Sequence, residues 1–254
     1  MLDIGFIHTL RKIARMLPKD RQTLLFSATM PKLMEELADT YLSDPVRVAV
    51  NPPGQAAKKI EQGVHFVTQG DKATLLAEYL AKHPGELAMV FGRTKHGSEK
   101  LAKLLEKWGF AVAAIHGNKS QGQRERALDA FRKGQTQVLV ATDVAARGLD
   151  IPEVAHVYNY DLPNVPENYV HRIGRTARAG RDGRAVAFCA PAEMGELRAI
   201  EKAMKAPIPV IGGEVPAGPV PSARPGGGRG KPMGAGANKR PARRPSRQPK
   251  SRQA

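Results

Sequence analysis

Between Val64 and Phe188 short apolar runs alternate with segments of helical periodicity, and no other feature restricts the fold so tightly. The runs Val64–Val67, Leu87–Phe91, Val112–Ile115, Gln137–Ala141, Val154–Tyr158 and Ala185–Phe188 are mostly apolar and have the length of buried strands. Asp71–Lys82, His96–Trp108, Gln121–Arg132 and Pro166–Ile173 lie between them and repeat apolar residues at helical spacing, and Glu193–Lys205 follows the last run. Ser120 with Gln123 forms a capping-box signature at the start of one of these helices. Strands without polar alternation are buried on both faces, so the pattern predicts an α/β fold, a parallel sheet flanked by helices. Ligands of such sheets bind where the loops leave the carboxyl ends of the strands.

The flanks differ in composition. Phe6–Met16 has helical spacing and Pro18 stops it; Gln22–Ser27 reads as a short strand. A helix starting near Pro31 runs through Leu33, Leu37 and Tyr41, followed by a short strand at Val46–Val50. The sequence therefore divides into residues 1–50, a linker at 51–60 carrying Pro52-Pro53-Gly54, an α/β domain at 61–212, and a Gly/Pro/Arg-rich segment at 213–254. That last segment has too little apolar surface to offset chain entropy and is expected to be disordered. From Ser222 to Ala254 it holds ten basic residues and no acidic one, leaving +6 of the net +16 to the rest of the chain. Such an excess favours nucleic acid through counterion release. The single cysteine, Cys189, excludes an internal disulfide and a Cys-rich zinc site, and the seven histidines are scattered without ligand spacing, so no metal site is expected in this chain. No apolar run approaches 18 residues and no basic segment precedes an apolar core at the start, so a cytoplasmic protein is expected, as a monomer and without membrane contact.

Polar clusters follow several strands. Ser27-Ala28-Thr29 follows the first-region strand, Gly92-Arg93-Thr94-Lys95 and His116-Gly117-Asn118 follow two others, and Thr142 to Asp150 follows Gln137–Ala141. Turn chemistry alone accounts for each of these singly but leaves their shared position at one sheet edge unexplained. The run His171 to Arg178 places a histidine and three arginines in eight residues with no carboxylate among them. Guanidinium groups so crowded need an anion between them, and their forks match phosphate oxygens two at a time. If the run is helical, His171, Arg175 and Arg178 fall on one stripe. An apolar strand ending in Asp143 would suit a phosphate-loop nucleotidase. The chain, however, contains no Gly-x-x-x-x-Gly-Lys-Ser/Thr loop and no Asp-Glu pair, so the anion site looks like half of one.

These segments resemble a known family. Ser27-Ala28-Thr29, Ala141-Thr142-Asp143 with Ala146 to Asp150, and His171 to Arg178 are similar to motifs III, V and VI of DEAD-box RNA helicases. Val90–Lys95 and Gln121–Arg124 resemble motifs IV and IVa, and Ile115–Gln121 with Asn159–Pro166 resembles the bacterial RhlE-type branch. Two departures are Gly92, where a threonine-like residue is usual, and Ala177, which stands for a frequent glycine. Met1–Phe6 resembles the segment just after the Asp-Glu-Ala-Asp box, which implies an N-terminally truncated helicase whose phosphate loop, box and magnesium ligands lie upstream.

The resemblance implies a RecA-like, P-loop NTPase-type helicase C-terminal domain, preceded at residues 1–50 by the end of a first domain. It implies ATP with Mg²⁺ as cofactor and RNA as a sequence-independent partner. Arg175 and Arg178 would be arginine fingers on the γ-phosphoryl group, and Asp150 would accept a hydrogen bond from the ribose. His171 would link motif VI to Ser27, Ala28 and Thr29, with Asp143 and Arg172 supporting that coupling. Arg93, Gly117, Arg124, Thr142, Arg147 and Gly148 would contact the RNA backbone. Two alternatives remain at this stage: a non-catalytic RNA-binding or annealing module, and a DNA helicase of the same superfamily.

Overall fold

The computed structural model describes residues 7–27, 30, 32–48, 60–147, 154–177 and 182–216. Two helices precede the sheet, α1 (Ile7–Met16) and α2 (Lys32–Tyr41). They are tied together by the Tyr41 hydroxyl, which donates to the Leu10 carbonyl at 2.6 Å. Arg21 pins the intervening chain by donating to the carbonyls of Pro18 (2.6 Å) and Tyr41 (3.1 Å). The strand expected at Gln22–Ser27 does not form, nor does the described part of the one at Val46–Val50, whose last two residues lie outside the described set. A strand exists only through partners. Leu24, Phe26, Val46 and Val48 are instead 69%, 87%, 91% and 82% exposed, so apolar content alone does not make a strand here.

The α/β region follows the expected alternation. Its elements in order are β1 (Ile60–Phe66), α3 (Lys72–Ala81), β2 (Ala88–Phe91), α4 (Lys95–Lys107), β3 (Val112–Ile115), α5 (Gln121–Arg132) and β4 (Val138–Ala141). There follow α6 (Asp143–Ala146), β5 (His156–Asn159), α7 (Pro166–Ile173), β6 (Gly183–Cys189), α8 (Met194–Met204) and β7 (Val210–Gly212). Helix α6 and strand β7 have no counterpart in the sequence pattern, because both are shorter than a periodicity can reveal. The strands form one sheet in the order β3-β4-β2-β5-β6-β1-β7, with every pair parallel. All carboxyl ends therefore lie along one edge. The chain builds β3 and β4 on one side of β2 and β5, β6 and β1 on the other, which opens a crevice above β4, β2 and β5.

Alternate residues of each strand supply two cores. Met89, Phe91, Leu139, Val157 and Ala187 pack with Phe131 of α5, Tyr169 of α7 and Ile200 of α8. Val90, Val140, Tyr158, Val186 and Phe188 pack on the other face with Leu76 and Leu80 of α3 and Leu101 and Leu105 of α4. This burial on both faces is why the strands carry no polar alternation. Local signals set the helix starts. Thr94 caps α4 by accepting from the Gly97 amide at 3.0 Å, Ser120 and Gln123 close the capping box of α5, and Pro166 opens α7 at a position where no amide proton is needed.

Candidate functional site

At the carboxyl edge of β4, β2 and β5 a cleft is lined by Phe91, Asp143, Ala146, Arg147, Asn168, His171, Arg172 and Arg175. It joins the segment after β4 to α7 and the turn behind it. Arg172 is its keystone. The residue is 2% exposed, and its Nε and Nη2 donate to the two oxygens of Asp143 at 2.6 and 2.8 Å. Nη1 donates to Asn159 Oδ1 (3.1 Å) and to the Asp161 carbonyl (2.7 Å), and the guanidinium lies 5.1 Å from the Phe91 ring centroid. A buried guanidinium needs this degree of satisfaction. The arginine cluster thus contains a carboxylate partner that local sequence could not reveal, 29 residues upstream. Arg172 is neutralised and serves the fold of the site instead of facing an outside anion.

The stripe expected from a continuous helix also needs correction. Helix α7 ends at Ile173 with Gly174 as its cap, so Arg175 lies on a turn. His171 and Arg175 still border the same cleft, because that turn is fixed from behind. The Thr176 hydroxyl donates to the carbonyls of Val154 (2.5 Å) and Ala155 (3.1 Å), and the Val154 amide donates to the Arg175 carbonyl at 3.2 Å. The next residue, Ala177, has φ +57°, a left-handed conformation in which glycine is free of strain. Arg147 joins them from the end of α6, its Nη2 donating to Asn168 Oδ1 at 2.8 Å. The cleft is cationic: His171 is held below its ordinary pKa by burial first and then by Arg147 and Arg175, with Asp143 and Glu167 opposing.

The other expected RNA contacts lie along the same edge. Thr142 is buried at the start of α6, and its amide donates to the Ile115 carbonyl at 3.3 Å. Arg124, on α5, donates to the Ala145 carbonyl at 3.0 Å and to Gln121 Oε1 at 3.3 Å, while its buried Nε meets no partner among the described residues. Gly117 is exposed, with open space where a Cβ would stand. Arg93 is partly committed elsewhere: its Nη2 donates to Glu193 Oε1 at 3.0 Å and to the Leu162 carbonyl at 3.1 Å. Ser27 is described and exposed; Ala28, Thr29, Gly148, Asp150 and Arg178 lie outside the described residues.

Sequence reasoning missed the ionic lattice under Arg93. Lys72, fully buried, donates to the Tyr160 carbonyl at 2.7 Å and to Glu193 Oε2 at 2.5 Å, with Asp161 Oδ1 at 3.7 Å. Asp161 Oδ2 accepts from the Arg93 amide at 2.9 Å. The lattice ties the ends of β2, β5 and β6 to the start of α3. Lys72 and Glu193 stand 121 residues apart, and no local signal links them. At the opposite edge Glu86 accepts from His156 Nε2 at 2.6 Å and lies 3.7 Å from His83 Nδ1. The two imidazoles lie tilted at 33° with centroids 4.2 Å apart, and the ligand atoms of His83, Glu86 and His156 come within 4.8 Å of one another, a grouping that the scattered histidines of the sequence did not predict. Arg184 approaches His83 Nε2 at 3.3 Å and can only donate, which leaves the His83 proton on Nδ1, facing Glu86.

Comparison with known proteins accords with this geometry. The profile of the helicase conserved C-terminal domain matches residues 71–180. The crystallised Escherichia coli DEAD-box protein SrmB, solved bound to the regulator of ribonuclease activity A, is 38% identical, with a TM-score of 0.57; the alignment covers 62% of this chain and 92% of that one. The chain belongs to the DEAD-box family. Another DEAD-box relative, the ATP-dependent RNA helicase CshA of Listeria monocytogenes, is 45% identical over 205 residues, 81% of this chain and 39% of that protein. Bacillus subtilis CshA is 46% identical over the same length and 42% of its own. The chain thus spans about two fifths of the length of these curated relatives. Saccharomyces cerevisiae Dbp5, in a structure bound to RNA and ADP BeF3, superposes with a TM-score of 0.71 at 31% identity, covering 81% of this chain and 55% of that one. The α/β region therefore has the RecA-like fold of a DEAD-box C-terminal domain.

Proposed function

We propose that this chain acts as the second half of an ATP-dependent RNA helicase, gripping the backbone of single-stranded RNA and bringing arginine to the γ-phosphate of ATP. The observation that carries the reading is the cationic cleft where Arg147, His171 and Arg175 meet at the carboxyl edge of β4 and β2. Its residues fit a polyphosphate: Arg147, Arg172 and Arg175 line it with a single carboxylate among the described lining residues, Asp143, which pairs with Arg172. When bound, Mg²⁺–ATP supplies the phosphoryl group transferred to water. Arg175, with Arg178 beyond the described residues, meets charge developing on that group, a role worth roughly 10³–10⁵ in rate in dissected systems. Asp150 holds the ribose. Arg172 and Asp143 keep the motif V and motif VI segments in register, and His171 couples them to Ser27, Ala28 and Thr29.

Arg93, Gly117, Arg124, Thr142, Arg147 and Gly148 offer donors suited to phosphate and 2′-hydroxyl oxygens, which gives binding without base readout. The CshA and Dbp5 relatives support RNA over DNA as the polymer. Residues 1–50 we read as the end of the first helicase domain, residues 51–60 as the linker and residues 213–254 as a basic tail that adds RNA affinity. The placement in the RhlE-type branch rests on the Ile115–Gln121 and Asn159–Pro166 resemblances.

The chain has no phosphate loop, so alone it should bind RNA and leave ATP intact. Added to the phosphate-loop half of a DEAD-box relative, it is expected to restore RNA-stimulated ATP hydrolysis. ATP turnover by the chain alone, or no restoration by a folded mixture, would overturn the reading.

A further inference from the structure

The loop between β3 and α5 is gripped from outside by a residue that the site as described does not use. Glu99, one turn inside α4, accepts from His116 Nε2 at 2.8 Å and from Lys119 Nζ at 2.8 Å, both on Oε2. Lys103 lies 3.6 Å from its other oxygen. His116 is 3% exposed, and its Nδ1 accepts from the Asn118 amide at 3.3 Å, so the imidazole proton sits on Nε2 and points at Glu99. The Lys119 amide closes the turn on the His116 carbonyl at 3.0 Å. One carboxylate thus holds both ends of a four-residue loop, and Gly117 stands between them with open space before it. Immediately after, the Ser120 capping box starts the helix that carries Arg124.

We propose that Glu99 is a positioning residue for RNA: it clamps His116 and Lys119 so that the Gly117 backbone and the start of α5 are preset to receive a phosphate. This rests on the reading of Gly117 as an RNA contact. Lys119, despite its charge, belongs to the clamp. The placement is informative because a carboxylate next to a polyanion site is unfavourable on charge alone. Its presence beside Lys103 and Lys119, with the neutral His116 donating to the same oxygen as Lys119, is explained by geometry it enforces. The Glu99 acid is pulled down to about 2, by Lys119 first and His116 second, so it stays ionised under any condition in which RNA binds.

The two explanations predict opposite signs. In the ¹⁵N-labelled 254-residue chain, titration with a uridine decamer is followed at the Gly117 amide resonance, which reads the loop apart from the basic tail. Charge alone predicts that Glu99→Gln tightens binding and that Glu99→Asp changes nothing. The clamp predicts that both weaken the affinity read at Gly117, by about three- to tenfold, since the loop loses bonds that preset it. Equal or tighter binding in Glu99→Gln with a responsive wild type overturns the clamp and leaves the RNA reading standing. A wild-type Gly117 amide that RNA does not move overturns both. Should Glu99→Gln fail to fold, Glu99→Asp, which keeps the charge beside buried His116, decides alone.

Discussion

Replacing Asp143 with alanine tests the claim that the arginine cluster is held by a distant carboxylate. The substitution removes two charge-assisted bonds of 2.6 and 2.8 Å from a guanidinium that is 2% exposed, leaving it only the neutral acceptors Asn159 and Asp161 carbonyl. Breaking a buried ion pair from one side costs about 3–5 kcal/mol. The Asp143 side chain is 23% exposed, so water reaching the cleft should hold the loss near the lower limit, about 3 kcal/mol. For a region of this size that is a fall of roughly 6–12 °C in Tm by circular dichroism. Removing both partners is a different perturbation. In Asp143→Ala with Arg172→Met no charge is stranded, and the methionine can lie against Phe91, so most of the lost stability should return. A single mutant within about 1 kcal/mol of wild type, or a double mutant less stable than the single, would refute the reasoning.

Ala177→Gly should raise Tm by about 2–4 °C, because a side chain at φ +57° is strained by about 1 kcal/mol; a fall in Tm would show that Ala177 packs better than it fits. Glu99 gives a pH signature. Its pKa falls from 4.5 to about 2 on folding, so its contribution is full above pH 4.5 and is lost as pH drops toward 2. The stability difference between wild type and Glu99→Gln should shrink across that window, and a constant difference would exclude the ionised clamp. In the complemented helicase, Arg175→Ala should lower ATP turnover by roughly 10³ or more while RNA affinity stays within about twofold. Unchanged turnover would remove the finger assignment.

The basic cleft illustrates how a local pattern leaves the partners of its own charges unspecified. Spacing alone crowds three arginines into His171 to Arg178, while the family resemblance gives Arg175 and Arg178 to phosphate and Arg172 a supporting role. The buried Arg172–Asp143 pair withdraws one of them, and the end of α7 at Ile173 moves Arg175 from helix to turn. Likewise Leu24, Phe26, Val46 and Val48 have the composition of strands, yet they find no partners within the described residues.

What the sequence determined by itself is whatever depends on neighbours along the chain. Apolar runs separated by 3.6-residue periodicity dictate parallel strands covered by helices, and Thr94, Ser120 with Gln123, and Pro166 set where helices begin, because hydrogen bonding and burial at those points are local matters. Parallel pairing in turn forces every strand to end at one edge, so the location of the site was implicit in the alternation. Only tertiary structure decided which charges pair with one another inside the protein. Lys72 with Glu193, Arg172 with Asp143, and Glu99 with His116 and Lys119 each join residues from different elements. A charge's partner is set by distance in space, and sequence separation carries almost no trace of it.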